Sequence, residues 1–146
     1  MSTVNNVFLS GFRNIVEQRL ELSPRLNVLS GKNGSGKTSV LEALYVLSCG
    51  RSFRATRLDS VINVTLGEAT VFAEFDTGAR LGLTRPMVGK QSLKLSGEKQ
   101  VNWEAAARII PTQIIDANSF ALLDGGPKSR RQFLDWGAFH VEPGVI

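Results

Sequence analysis

Cysteine and histidine are almost absent from this sequence of 146 residues, which contains only Cys49 and His140. A single cysteine excludes an intramolecular disulfide, and one residue of each type cannot supply the four ligands of a structural zinc site. We interpret His140 as a side chain at a helix end rather than as a catalytic base.

Long apolar runs are also missing. No stretch approaches the roughly 18 residues that a membrane span requires, and the start, MSTVNN, lacks the basic region of a secretory signal. We therefore expect a cytoplasmic protein. Hydrophobic residues make up 42% of the chain, which is enough for one compact domain with its own core. The net charge of +4 permits attraction to phosphate but is common among ordinary proteins.

The apolar patterning predicts an α/β chain. Residues 26–29 form a short apolar run, as expected of a buried parallel strand, and residues 37–49 predict a mostly buried helix with Leu41 on its apolar face. The other predicted strands are 4–12, 16–22, 69–75, 80–85, 92–97 and 112–116, and the other predicted helices are 102–109 and 127–139. The strands between residues 69 and 97 suggest an antiparallel meander.

The strongest signal is the glycine-rich loop SGKNGSGKT, residues 30–38, between a predicted strand and a predicted helix. It matches the phosphate-binding pattern Gly-x-x-x-x-Gly-Lys-Ser/Thr. The glycines allow successive amides to point at phosphates, and the helix N-terminus adds its positive end. Lys37 would reach the β- and γ-phosphates, and the Thr38 hydroxyl would bind Mg²⁺. The predicted ligand residues are Gly31, Lys32, Asn33, Gly34, Ser35, Gly36, Lys37, Thr38 and Ser39.

The nucleotide predicted from this loop is ATP. A dinucleotide fingerprint starting at Gly34 fails because Ser39 occupies the position of its third glycine. The Asn-Lys-x-Asp element of guanine-specific P-loop proteins does not occur in the sequence.

Three separated segments carry a resemblance: GFRNI (11–15), GKNGSGKTSVLEALYVLSCGRSFR (31–54) and LLDGGPKSRRQFLDW (122–136). In this order they closely resemble the RecF family of bacterial recombination mediators, which have an ABC/SMC-type ATPase head. The resemblance covers nearly the whole chain. It implies an α/β P-loop fold, the first lobe of such a head, with a mixed or parallel core sheet and an antiparallel β subdomain at about residues 65–102.

The resemblance also implies a function. It implies ATP-driven homodimerisation, binding to single-stranded DNA, to gaps and to single-strand/double-strand junctions, and cooperation with RecR and RecO in loading the recombinase RecA. The remainder of the head would follow residue 146.

The machinery for hydrolysis is incomplete in the sequence. No convincing Walker B motif, ABC signature or switch histidine occurs; Asp116 follows two isoleucines, but no second acid follows it. Gln113 is a candidate for the glutamine that many ABC heads extend toward the metal. Alone, the chain should bind nucleotide poorly and hydrolyse almost none, whereas the intact protein would be a weak, DNA-stimulated ATPase.

Smaller motifs add candidate residues. Arg13 and Asn14 match the family's Phe-Arg-Asn element, which lies over the nucleotide in related heads, although Arg13 also fits an ordinary surface arginine in a turn. Arg51 and Arg54 flank Phe53, and Arg57 follows. This cluster suits DNA phosphate contacts, and equally a solvated loop with its aromatic ring anchored in the core.

The segment DGGPKSRRQFL superficially resembles an ABC signature. Pro127 stands where the signature has glutamine, so we interpret Gly126 and Pro127 as a helix start. Lys128, Arg130 and Arg131 remain candidates for DNA contact. Two other functions stay open: a free-standing small P-loop kinase or NTPase, and a DNA-binding module with a vestigial P-loop.

Overall fold

The computed structural model describes residues 2–116, 119 and 126–141. The chain divides into two compact units, one ending at Ile110 and the other beginning at Pro111. The first unit contains a β-sheet and the helix that follows the glycine-rich loop. The described part of the second unit contains one helix.

The sheet of the first unit has six strands, all antiparallel, in the order β2-β1-β3-β4-β5-β6. Every second side chain of β3 is buried, as the period of two in its sequence requires, so one face of the sheet is directed to the core. The strands are β1 Val4–Phe12, β2 Ile15–Glu21, β3 Glu68–Phe75, β4 Arg80–Pro86, β5 Ser92–Leu95 and β6 Glu98–Gln100.

The described residues form three helices and one 3₁₀ turn: α1 Lys37–Cys49, α2 Glu104–Ile109, α3 Pro127–Val141 and the turn Leu58–Val61. Helix α1 buries four apolar side chains, Val40, Ala43, Val46 and Leu47, in the same core as the inner face of the sheet. Full burial of a Val or Leu side chain contributes roughly 1.5–3 kcal/mol, so this contact fixes α1 firmly in place.

Gly50 caps the C-terminal end of α1; it has a left-handed φ of 70° and donates its amide to the Val46 carbonyl over 2.8 Å. The Trp103 ring lies directly against this glycine. A Cβ at position 50 would lie 2.3 Å from a ring atom of Trp103, so no larger residue fits without a shift. Trp103 also precedes α2, and the end of α1 therefore meets the start of α2.

Two predicted strands are wrong. Residues 26–29 and 112–116 are irregular, and the side chains of Leu26 and Val28 are 77% and 80% exposed. A buried parallel strand takes its backbone hydrogen bonds from neighbours on both sides. In the described part of the chain no strand pairs with residues 26–29, so this run is irregular, with Leu26 and Val28 exposed and Leu29 partly buried against the core.

The antiparallel strands predicted between residues 69 and 97 are part of the same sheet as the N-terminal hairpin, since β1 pairs with β3. On α1 the prediction is wrong for Leu41, which is 49% exposed. The lengths of β1 and α1 and the start of α3 at Pro127 are confirmed. None of the described helices has the length and hydropathy that a bilayer crossing requires.

Candidate nucleotide-binding site

The glycine-rich loop runs from the irregular segment 26–30 into the first turn of α1. Gly34 and Gly36 have φ values of 82° and 94°, in the left-handed region that side-chain-bearing residues rarely adopt. Gly36 also precedes α1 directly, where a Cβ would lie 3.2 Å from the Ile15 side chain. The two glycines therefore allow the backbone to curl before the helix begins.

The loop presents backbone donors and the ammonium group of Lys37. The first amides of α1 have no intrahelical acceptor, as at every helix N-terminus, and are available to an anion. The Lys37 Nζ donates to the carbonyls of Gly31 and Lys32 over 2.7 and 2.8 Å. The ammonium therefore lies across the mouth of the loop and away from the apolar core.

A cleft of about 770 Å³ opens beside the loop, which is in the range of small-molecule sites, roughly 300–1,000 Å³. No acidic residue is among the described residues that line it. Its lining comprises Arg13, Asn14, Asn33, Gly34, Ser35, Gly36, Lys37, Thr38, Ser39, Arg54, Ser60, Ile62, Asn63, Val64 and Thr65.

Asn14 connects the β1–β2 turn to the loop. Its Nδ2 donates to the Gly34 carbonyl over 2.7 Å, and its Oδ1 accepts a hydrogen bond from the Ser39 hydroxyl over 2.9 Å. One amide side chain thus holds both the curl of the loop and the first turn of α1.

Arg13 has a left-handed φ of 55°, an unusual conformation for a non-glycine residue, and many contacts hold it there. Its amide donates to the Val61 carbonyl, and its own carbonyl accepts from the Asn63 side chain. Its guanidinium donates to Glu42 through Nη2 at 2.6 Å and through Nε at 3.0 Å. Arg13 therefore lines the cleft while it is bound to a carboxylate.

Glu42 is fully buried in the middle of α1. Burial alone would raise the pKa of this carboxyl. Hydrogen bonds from Arg13 and Ser52, with the positive charges of Arg13 and Arg54, outweigh that effect and lower the pKa below its ordinary value. Glu42 is therefore a carboxylate at neutral pH.

The structure brings most of the predicted nucleotide ligands together around the cleft. Gly31 and Lys32 contribute carbonyls to Lys37 instead of lining it. Gln113 lies in the second unit, exposed and outside regular structure. These ligand assignments remain predictions.

The candidate DNA-contact residues are exposed: Arg51, Arg54, Arg57, Lys128, Arg130 and Arg131. Arg57 pairs with Asp59 over 3.3 Å, and Arg54 pairs with Glu42 over 3.2 Å. The ring of Phe53 packs edge-on against Tyr45 at 5.6 Å between centroids. Residues 122–125 of the third resemblance segment lie outside the described part of the chain.

Sequence reasoning missed the ion cluster behind the cleft. Glu42 binds both Arg13 and Arg54, the Ser52 hydroxyl donates to Glu42, and the Ser60 carbonyl accepts from Arg13. The available signal was one acidic residue between Leu41 and Ala43 in an otherwise apolar helix. An acidic residue in an apolar helix is either exposed or paired with a cation. Glu42 lies four residues before the buried Val46, and therefore on the same face of the helix.

The cleft fits a nucleoside triphosphate with its metal ion. It combines glycine-loop amides, the Lys37 ammonium and the Thr38 hydroxyl at the start of a helix, which are the donor set that triphosphates and Mg²⁺ use. This loop, on α1 and against an antiparallel sheet, defines a P-loop nucleotide-binding lobe of the ABC/SMC head type.

Comparison with known proteins agrees with this class. The family model for the RecF/RecN/SMC N-terminal domain matches residues 3–122, and the chain belongs to that family. It is similar to the DNA replication and repair protein RecF of Pseudomonas savastanoi pv. phaseolicola, at 45% identity over 97% of this chain. The protein with the same description from Shewanella piezotolerans is 44% identical, also over 97% of this chain. The chain spans 40% of each relative's length.

Solved structures show the same fold. A structure of the recombination mediator protein RecF-ATPrS in the RecFOR pathway matches with a TM-score of 0.83 and 25% identity, over 92% of this chain and 38% of that chain. An Smc head domain derived from Pyrococcus furiosus, with an extended coiled coil, matches with a TM-score of 0.74 and 22% identity, over 92% of this chain and 41% of that chain. The α/β P-loop head fold is thereby confirmed.

Proposed function

We propose that this chain is the ATP-binding lobe of a RecF-like DNA replication and repair protein. The carrying observation is the cleft that contains the glycine loop, Lys37 and Thr38 in a chain 45% identical to a RecF protein. Lys37 contacts the β- and γ-phosphates of ATP, and Thr38 holds Mg²⁺ between them. The loop amides bind the remaining phosphate oxygens.

The proposal extends to the intact protein. It acts in the cytoplasm as an ATP-dependent homodimer that binds single-stranded or gapped DNA, and it cooperates with RecR and RecO in loading RecA. The similarity to RecF proteins and to a RecFOR-pathway structure supports this role. The exposed arginines 51 and 57 are the DNA contacts we assign to the first unit, and Lys128, Arg130 and Arg131 those in the second.

Nucleotide binding is tested by changing Lys37→Ala. We expect ATP affinity to fall by about 10- to 100-fold, because a hydrogen bond to a charged group contributes about 1.5–3 kcal/mol. The melting temperature should stay near wild type, since the ammonium contacts loop carbonyls and does not pack in the apolar core. The measurement is a titration with labelled ATP and Mg²⁺, alongside a thermal melt.

Lys94→Ala is the charge-matched control, because Lys94 is exposed on β5 and is not in the cleft. It should bind ATP as wild type does. Equal affinity in the Lys37 and Lys94 variants would refute the proposed phosphate site, and unfolding of the Lys37 variant would refute our placement of its side chain.

The ATPase assignment is tested by comparing turnover in this chain alone and in the intact protein, each with and without gapped DNA. We expect DNA-stimulated turnover from the intact protein and a background rate from the chain alone. Substantial turnover by the chain alone would favour a free-standing NTPase.

A further inference from the structure

The carboxylate of Glu42 has four hydrogen-bond donors around it. Besides the two bonds from Arg13, its Oε1 accepts from the Ser52 hydroxyl over 2.5 Å and its Oε2 from Arg54 Nη1 over 3.2 Å. A buried carboxylate surrounded in this way has one arrangement that satisfies both oxygens, so its partners are fixed as well.

Arg54 is held to Glu42 through two routes. One is the direct ion pair, and the other passes through Ser52. The Ser52 hydroxyl donates to Glu42 and accepts the backbone amides of Arg54 and Ala55, each over 2.9 Å. Glu42 therefore sets both the guanidinium of Arg54 and the path of the backbone that carries it.

The guanidinium of Arg13 is also fixed, by three hydrogen bonds. Its Nε and Nη2 bind Glu42, and its Nη1 donates to the Ser60 carbonyl over 2.8 Å. The side chain of Arg13 is 21% exposed and that of Arg54 is 43% exposed, while that of Glu42 is not exposed. The two guanidinium groups thus line the cleft, and the carboxylate that orders them lies behind them.

We propose that Glu42 is a positioning residue for polyphosphate recognition, which orders Arg13 and Arg54 in the wall of the cleft beside the glycine loop. One carboxylate against two guanidinium groups leaves one positive charge, to which Lys37 adds another. A triphosphate then meets cations that are already ordered, and binding does not have to immobilise two long side chains. This inference rests on the proposed ATP site and assigns a further residue to it.

The opposite effect would follow if Glu42 only balanced charge. Removing its negative charge would then make the cleft more cationic and tighten ATP binding. If Glu42 orders the two arginines, Glu42→Gln weakens ATP binding; if Glu42 only balances charge, the same change tightens it. The direction of the change in ATP affinity therefore distinguishes the two roles.

The experiment titrates the intact protein and its Glu42→Gln variant with labelled ATP and Mg²⁺. We expect about tenfold weaker binding, the effect of leaving two rotamer-rich side chains to be ordered by the ligand. In NMR spectra of the ligand-free protein, the Nε–H signal of Arg13 should be protected from exchange in the wild type and lost in the variant. Asp59→Asn is the matched control, since Asp59 pairs with Arg57 and Arg85, neither of which lines the cleft.

Ser52→Ala provides the test if the glutamine variant does not fold. It leaves both ion pairs in place and removes the second route to Arg54, so ATP binding should weaken about threefold. Unchanged or tighter ATP binding in a folded Glu42→Gln variant, or unchanged binding in Ser52→Ala when that variant is the one tested, would overturn this inference alone. Failure of the wild-type protein to bind ATP would overturn the proposed function and this inference with it.

Discussion

Asn14 and Gly34 are joined by a hydrogen bond of 2.7 Å from a side-chain amide to a loop carbonyl, across 20 positions of sequence. The same side chain accepts from Ser39 in the first turn of α1. The β1–β2 turn therefore supports the glycine loop from outside, and a loop rich in glycine keeps one curl without bulky residues of its own.

Replacing Asn14→Ala should weaken ATP binding by about tenfold, because two hydrogen bonds of roughly 0.5–1.5 kcal/mol each are lost from the loop's support. Ser39→Ala removes one of the two and should weaken binding by a smaller factor. ATP titration of both variants, with a thermal melt of each, checks which variant loses more affinity. A larger loss in the serine variant would contradict the support role of Asn14.

Gly11→Ala should destabilise the protein by about 3 kcal/mol or more, since a side chain at a left-handed φ adds backbone strain to a severe clash. A Cβ at Gly11 would lie 1.9 Å from the Glu68 carbonyl oxygen, and the φ there is 62°. Urea unfolding measures the loss.

Gly78→Ala is the matched control for that change. Gly78 has a φ of 80° but no atom within 4 Å of its added Cβ. Gly78→Ala should lower the free energy of unfolding by about 1 kcal/mol, the effect of backbone strain alone. Equal losses in the two variants would mean that the contact between Gly11 and Glu68 is not tight.

Glu42 predicts a loss of stability in acid. Its pKa in the folded protein lies below the ordinary value of 4.5, so the folded state binds its proton less readily than the unfolded state does. The contribution of ionised Glu42 to the stability of the protein is fully present above the ordinary pKa. It is lost as the pH falls through the pKa of Glu42 in the folded protein. Urea unfolding from pH 7 to 3 should show a steeper decline for wild type than for Glu42→Gln, and parallel curves would contradict the ion cluster.

Arg51→Ala should reduce the salt dependence of DNA binding by the intact protein. One lost phosphate contact lowers the slope of log affinity against log salt by about one unit. Arg54 is a poorer target because its guanidinium also holds Glu42. Arg19→Ala is a charge-matched control, since Arg19 is exposed on the edge strand β2 and stacks over Phe8. The same slope in the Arg51 variant and the wild type would assign Arg51 to a solvated loop.

The glycine loop, α1 and the antiparallel strands could be predicted because each has a local signal: a spaced motif, a helix start after glycine, and alternation with a period of two. Residues 26–29 could not, because a parallel strand depends on neighbours distant in sequence. The role of Glu42 also escaped, since a carboxylate's partners, Arg13 and Arg54, are set by tertiary packing and no spacing rule connects them.

The contact of Trp103 with Gly50 provides an intrinsic fluorescent probe of this part of the protein. The sequence has two tryptophans, Trp103 in the first unit and Trp136 on α3 in the second. With Trp136 replaced by phenylalanine, the remaining indole emission would report only on the end of the helix that begins at the glycine loop. Its wavelength and quenching would follow events at α1 without an attached dye.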